Sequence, residues 1–155
     1  MHPFPHHYVV SSCLSPEGDV VLESEGIPPL ATVTPPEFDG PGGKWSPETL
    51  LVAAVADCYL LTFRGIAKAS RMRWISLSVE CRGTLERPDR YSQFTRFDIR
   101  ASLVLPPEAN EEQARRILTR AEETCLITRS LTAQAHLDIT IRFDAKSVEA
   151  LTVAD

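Results

Sequence analysis

The chain has 155 residues, of which 43% are hydrophobic and 24% are charged. This length suits one domain, and the composition is that of a soluble globular protein rather than a disordered one. The formal net charge of −5 disfavours a nucleic-acid binder, which usually presents a basic face to phosphates. We therefore predict a single domain over residues 1–155, with flexible ends at 1–6 and 145–155.

Acidic residues are concentrated in the first third of the chain. Among residues 1–46, the only base is Lys44, and there is no arginine. The six acids of this segment are Glu17, Asp19, Glu23, Glu25, Glu37 and Asp39.

The N-terminal sequence lacks a basic segment followed by an apolar one, so no secretory signal is visible. The longest apolar run, residues 50–63, is interrupted by Asp57 and is shorter than a bilayer span requires. We expect a cytoplasmic protein without a membrane partner. Four cysteines without a Cys-x-x-Cys pair indicate neither a disulfide framework nor a zinc site, so any disulfide here should be catalytic.

The first elements are predicted to be short strands. Residues 7–14 and 20–25 are rich in β-formers and flank a turn at 15–19, which predicts a hairpin. Residues 30–34 suit a third strand. Residues 35–45 contain proline and glycine clusters and are predicted to be a loop leading to the functional centre.

A long helix is predicted from Ser46 to about Ser70. Ser46 can cap the helix, Pro47 suits its first position, and Glu48 lies at the positive end of the helix dipole. Because the first half is apolar on nearly every side, we expect it to lie deep in the domain, with Cys58 in its buried part.

Two long antiparallel strands follow at residues 74–85 and 94–105, because their apolar residues alternate. Asn110 can cap a second helix that extends to about Thr124, and residues 136–143 alternate as a half-buried strand. The order predicts an α+β fold of helices packed on antiparallel sheet. The apolar face of the second helix comprises Ala114, Ile117, Leu118, Ala121 and Cys125.

Two segments resemble a known family. Residues 46–58, Ser-Pro-Glu-Thr-Leu-Leu-Val-Ala-Ala-Val-Ala-Asp-Cys, resemble the Asn/Ser-Pro-Glu-x-Leu-Leu/Phe-x-Ala-Ala-x-x-x-Cys segment of the OsmC/Ohr thiol peroxidases. Residues 121–131, Ala-Glu-Glu-Thr-Cys-Leu-Ile-Thr-Arg-Ser-Leu, resemble that family's second-cysteine segment, Ala-x-x-x-Cys-Pro-Ile/Val-Ser/Thr-x-Ser/Ala-Leu. The resemblance follows the order of elements over roughly residues 7–143.

The resemblance implies an intertwined homodimer of order βββ-α-ββ-α-β and a cysteine-based peroxidase of oxidative-stress defence. Cys58 would attack an organic hydroperoxide or hydrogen peroxide, and Cys125 would resolve the product as a disulfide. Glu48 matches the family glutamate that holds an active-site arginine. An external dithiol, such as a lipoylated protein, would restore the thiols, and no metal, flavin or haem would be needed.

The sequence departs from the family pattern in two places. The family arginine precedes the first long helix, and residues 1–46 contain none. A guanidinium would lower the thiol pKa, so Lys44, Arg129 or an arginine of a second subunit would have to replace it. Leu126 stands where the family usually has proline. The alternative is therefore a family fold retained as a small-molecule binding or regulatory module with weak or no peroxidase activity.

Other polar and reactive residues have simpler interpretations. Cys13 and Cys81 are expected to fill strands or core, and Asp57 to face solvent or an interface because neighbouring helical residues point in different directions. Two roles stay open for Trp45: it can pack against the helix start as a hydrophobic staple, or it can line a pocket. Thiol-based hydrolysis is disfavoured because neither motif contains a histidine. The histidines at 2, 6 and 7 are assigned to a flexible tail rather than a metal site.

Overall fold

The computed structural model describes residues His2–Asp144. The chain divides between Leu51 and Val52 into two compact units, and each is described by itself. The single-domain organisation stays a prediction, and the proposed flexible end at 145–155 lies outside the described residues.

The first unit contains three short antiparallel strands, β1 (Ser11–Cys13), β2 (Val20–Glu23) and β3 (Leu30–Thr32). They confirm the predicted hairpin and third strand, although β1 is shorter than the β-rich segment. The following loop contains one 3-10 turn at Pro36–Phe38. The end of this loop lies beside the end of β3, where the Val33 amide donates a hydrogen bond to the Trp45 carbonyl at 2.9 Å. Trp45 is 49% exposed.

Helix α1 spans Pro47–Ala69, close to the predicted bounds. The Thr49 amide donates to Ser46 Oγ at 3.2 Å, which confirms Ser46 as the cap. The predicted deep burial is wrong: one stripe of side chains is buried, at every fourth position, whereas Leu61 is 47% exposed. A helix buries only the sides that neighbouring elements cover, and an all-round apolar sequence does not reveal which sides those are. The buried stripe comprises Val55, Tyr59, Phe63 and Ala67.

By length and composition alone, α1 could also cross a membrane. The core helices of soluble proteins meet the same criterion, so this property does not indicate a membrane protein.

The second unit contains a three-stranded sheet of β4 (Ser76–Glu86), β5 (Gln93–Leu105) and β6 (Gln134–Phe143). Strands β4 and β5 are antiparallel, as predicted. Strand β6 is parallel to β5, which corrects the expectation of antiparallel sheet throughout. The reason is the connection: the helical segment between them carries the chain back to the end of the sheet where β5 began.

Helix α2 (Glu111–Glu123) and the four-residue helix α3 (Leu126–Arg129) form that connection. Asn110 Oδ1 accepts the Gln113 amide at 2.9 Å, which confirms the predicted cap. All five residues of the predicted apolar face are buried, and α3 was not predicted. With two main helices and two three-stranded sheets, the fold is α+β, as predicted.

Candidate functional site

Cys58 lies in α1 and is half-buried, so its thiol is neither sealed in the core nor fully in solvent. Its Sγ is 4.0 Å from Thr62 Oγ1, one turn further along the helix. This spacing of four residues places both side chains on one helix face. The helix therefore fixes the position of the thiol beside a hydroxyl group.

Cys125 lies between α2 and α3 and is fully buried. Its amide donates to the Glu122 carbonyl at 3.1 Å, and its own carbonyl accepts the Arg129 amide at 3.1 Å. The Thr128 hydroxyl donates to the same carbonyl at 3.1 Å. Because hydrogen bonds from both helices hold its main chain, Cys125 has a fixed position.

The structure brings the two predicted cysteines together: Cys58 is close enough to Cys125 to be one of the groups that shift its pKa. Both are free thiols. Burial raises the pKa of Cys125, and the neighbouring Cys58 raises it further, whereas the amide and hydroxyl groups of Thr128 lower it. Cys125 is thus held as a neutral thiol next to the more accessible Cys58.

A mainly apolar cavity of about 460 Å³ opens beside Cys58. The walls of this cavity were not predicted from the sequence, although Ala54, Leu61 and Thr62 lie three or four residues from Cys58, a spacing that puts them on its side of the helix. Asp57 is exposed, as expected. Neighbouring residues of a helix usually point in different directions, yet Asp57 lines this cavity together with Cys58. The full lining is Ala54, Asp57, Cys58, Leu61, Thr62, Leu126 and Ile127.

Glu48 belongs to the first unit, where it lines a different cavity, of about 410 Å³, together with Leu22 and Phe38. Its Oε2 atom is buried and has no hydrogen-bond partner among the described residues. A buried carboxylate oxygen normally has a donor, so this side chain is suited to receive one. Its role beside an arginine stays a prediction.

The two cations considered as replacements for the arginine have other partners. Lys44 forms an ion pair with Asp19 within the first unit. The Arg129 guanidinium donates to the Glu123 carbonyl at 3.3 Å. The groups that shift the pKa of Cys125 include no cation. The described residues therefore show no guanidinium bound to the thiol pair.

The remaining cysteines lie outside this pair. Cys13 is exposed on β1 and fills a strand rather than a core. Cys81 is half-buried on β4, and burial, followed by the Asp98 carboxylate, raises its pKa to about 11. A raised pKa opposes thiolate formation at Cys81 at neutral pH. Both residues fit strand-filling roles, since each lies on a strand.

Comparisons with known proteins agree with this fold. Residues 40–141 match the family model described as OsmC-like protein. An uncharacterized protein, YmaD of Bacillus subtilis (strain 168), is 25% identical over 137 residues, which cover 86% of this chain and 91% of that protein.

Solved structures show the same architecture. An OsmC-like protein of unknown function from Vibrio cholerae O1 biovar eltor str. N16961 superimposes with a TM-score of 0.80 at 18% identity, covering 88% of this chain and 100% of that one. A Legionella pneumophila protein described as an organic hydroperoxide resistance protein, OsmC, gives a TM-score of 0.71 at 18% identity, with 90% and 98% covered. At such identities the likeness concerns the fold. From the match to residues 40–141, this chain belongs to the OsmC-like protein family.

Proposed function

We propose that this protein is a thiol-dependent peroxidase that reduces organic hydroperoxides or hydrogen peroxide through a Cys58–Cys125 disulfide cycle. The observation that carries the proposal is the proximity of a half-buried thiol to a fully buried one, beside an open apolar cavity. Family membership supports it, as does the description of the Legionella pneumophila protein as an organic hydroperoxide resistance protein.

The cycle is balanced in atoms and electrons. The Cys58 thiolate attacks the distal oxygen of ROOH, the O–O bond breaks, and RO⁻ leaves and takes a proton as ROH. Cys58 is then a sulfenic acid, oxidised by two electrons. The Cys125 sulfur attacks that sulfur, an S–S bond forms, and the hydroxyl group leaves with a proton as water. A dithiol reductant then supplies two electrons and two protons to regenerate both thiols.

The proposal includes the assembly and surroundings of the enzyme. We propose a homodimer, because much of the apolar surface of α1 is exposed in the single chain, as Leu61 illustrates. The chemistry requires an external dithiol, such as one carried on a lipoylated protein, and no metal, flavin or haem. We place the protein in the cytoplasm, acting in oxidative-stress defence without a nucleic-acid or membrane partner.

Peroxide consumption tests the proposal directly. Wild type, Cys58→Ser and, as a matched control, Cys13→Ser are each given a hydroperoxide and an excess of a small dithiol. We expect wild type and Cys13→Ser to consume peroxide at equal rates, because Cys13 is exposed and lies outside the thiol pair. Cys58→Ser should consume peroxide only at the background rate. Equal rates for wild type and Cys58→Ser would exclude the proposed function.

A second candidate function is a small-molecule binding or regulatory module. The ion pair between Lys44 and Asp19 and the bond from Arg129 to the Glu123 carbonyl favour it, because they leave the thiol pair without an activating cation in the described residues. The pH dependence of Cys58 alkylation separates the two functions. A midpoint near the free-thiol value of about 8.5 supports the module, and a midpoint well below it supports the peroxidase.

A further inference from the structure

Among the described residues, one charged group lies in the wall of the cavity beside Cys58. Of the seven described residues that line it, six are apolar or uncharged, and the seventh is Asp57. Asp57 is exposed in the single chain and lines the cavity together with Cys58, so its carboxylate is near any molecule that enters the cavity. An approaching molecule must therefore pass an apolar surface that carries a single negative charge.

Asp57 belongs to none of the ion pairs found among residues 2–144, so no such pair neutralises its charge. The nearest cation in sequence to Cys125, Arg129, is turned to the Glu123 carbonyl. Helix α2 also ends in two acids, Glu122 and Glu123, just before Cys125. Arg120 and Arg129 lie near these acids and keep their positive charges, so the negative charge that the cavity wall itself presents is that of Asp57, and it opposes the entry of anions.

We propose that Asp57 is a specificity-determining residue: it makes the Cys58 cavity accept neutral apolar electrophiles, such as small alkyl hydroperoxides, and reject those that carry a carboxylate. The proposal rests on the peroxidase function for its biological meaning. The charge selection itself is a property of the cavity, and it applies to any reagent that reacts with the Cys58 sulfur.

The test compares two alkylating reagents of nearly equal size, neutral iodoacetamide and anionic iodoacetate. In both reactions the Cys58 thiolate forms an S–C bond and iodide leaves with the electrons of the C–I bond. Rates at Cys58 are measured by peptide-resolved mass spectrometry in the full chain. The ratio of the two rates cancels any change in the thiolate fraction, because both reagents react with the same thiolate.

Asp57→Asn removes the charge at nearly constant shape. The matched control is Asp89→Asn, which changes net charge equally at an exposed position in the β4–β5 connection, away from the cavity lining. We expect Asp57→Asn to lower the iodoacetamide-to-iodoacetate ratio about fivefold, the effect of one unit charge on another about 4 Å away in bulk water. Asp89→Asn should leave the ratio unchanged. At about 1 M salt the difference should nearly vanish, because the screening length falls to about 3 Å.

Three results would overturn the proposal: an unchanged ratio in Asp57→Asn, an equal decrease in Asp89→Asn, or failure of iodoacetamide to modify Cys58 at all. A second measurement uses tert-butyl hydroperoxide and a carboxylate-bearing hydroperoxide of similar size. If wild type consumes only the neutral peroxide and Asp57→Asn consumes both, the selection extends to catalysis. If neither peroxide is consumed, the proposed function fails, and the alkylation ratios still decide the role of Asp57.

Discussion

The Cys58 thiol lies close enough to Cys125 to raise the pKa of that residue, so a side chain of α1 is near the residue between α2 and α3. The two partners differ in access: Cys58 is half-buried and lines a cavity, and Cys125 is fully buried. This asymmetry suits a sequential reaction, in which the accessible thiol meets an oxidant first and the buried one reacts only with its neighbour.

The first prediction concerns the disulfide. One equivalent of hydroperoxide should convert wild type to a Cys58–Cys125 disulfide, because the two thiols are near neighbours in the folded chain. Cys125→Ser should stop after a single turnover with Cys58 held as a sulfenic acid, which a sulfenic-acid-reactive probe detects. Peptide mass mapping under non-reducing conditions checks the disulfide. A Cys58 disulfide with Cys13 or Cys81 instead would contradict the prediction.

The second prediction concerns alkaline stability. Burial raises the pKa of Cys81 from 9.0 to about 11, so the folded state retains its proton when the unfolded chain loses it. Its contribution is complete below pH 9 and is lost as the pH rises towards 11. Because the site is half-buried and partly screened by solvent, we expect a loss of only about 1 kcal/mol.

Urea unfolding of wild type and Cys81→Ala, at pH values below 9 and close to 11, checks this prediction. The variant should lose less stability between the two conditions, because it lacks this titrating group. Comparing the two losses removes the constant effect of the deleted sulfur. Equal losses in both proteins would show that the environment of Cys81 does not hold its proton.

The third prediction concerns Tyr59, which is fully buried and donates its hydroxyl hydrogen to the Leu118 carbonyl at 3.3 Å. This bond links α1 to α2. Tyr59→Phe should lower the free energy of unfolding by about 1 kcal/mol, the usual net value of such a bond. Tyr91→Phe is the matched control, since Tyr91 is 80% exposed. Chemical denaturation measures both, and equal stabilities of the two variants would refute the prediction.

The fourth prediction uses two glycines with opposite surroundings. A methyl group on Gly83 would lie 2.7 Å from both Phe94 Cε1 and Val52 Cγ2, so Gly83→Ala should destabilise the protein by about 1–3 kcal/mol through overpacking. Gly65 lies within α1 with nothing near the equivalent position. Gly65→Ala should therefore stabilise by up to about 1 kcal/mol through helix propensity. Thermal denaturation of both variants checks that their melting temperatures change in opposite directions. Changes in the same direction would contradict the prediction.

Local sequence was sufficient for the elements near Cys58 and Cys125. Ser46 and Asn110 were predicted as caps because their side chains satisfy nearby amides, a purely local interaction. The buried face of α2 followed from helical spacing. The parallel pairing of β6 was missed, because alternation along one strand carries no information about the direction of its neighbour.

By itself, the sequence determined the order of the elements, the two cysteine segments and the absence of arginine from residues 1–46, since these depend on residue type and spacing. Only the tertiary structure decided that Cys58 and Cys125 are near neighbours, that Cys125 is the buried partner, and that Asp57 shares a cavity with Cys58. Contacts between residues far apart in the chain, and the burial that shifts a pKa, arise only when helices pack against one another.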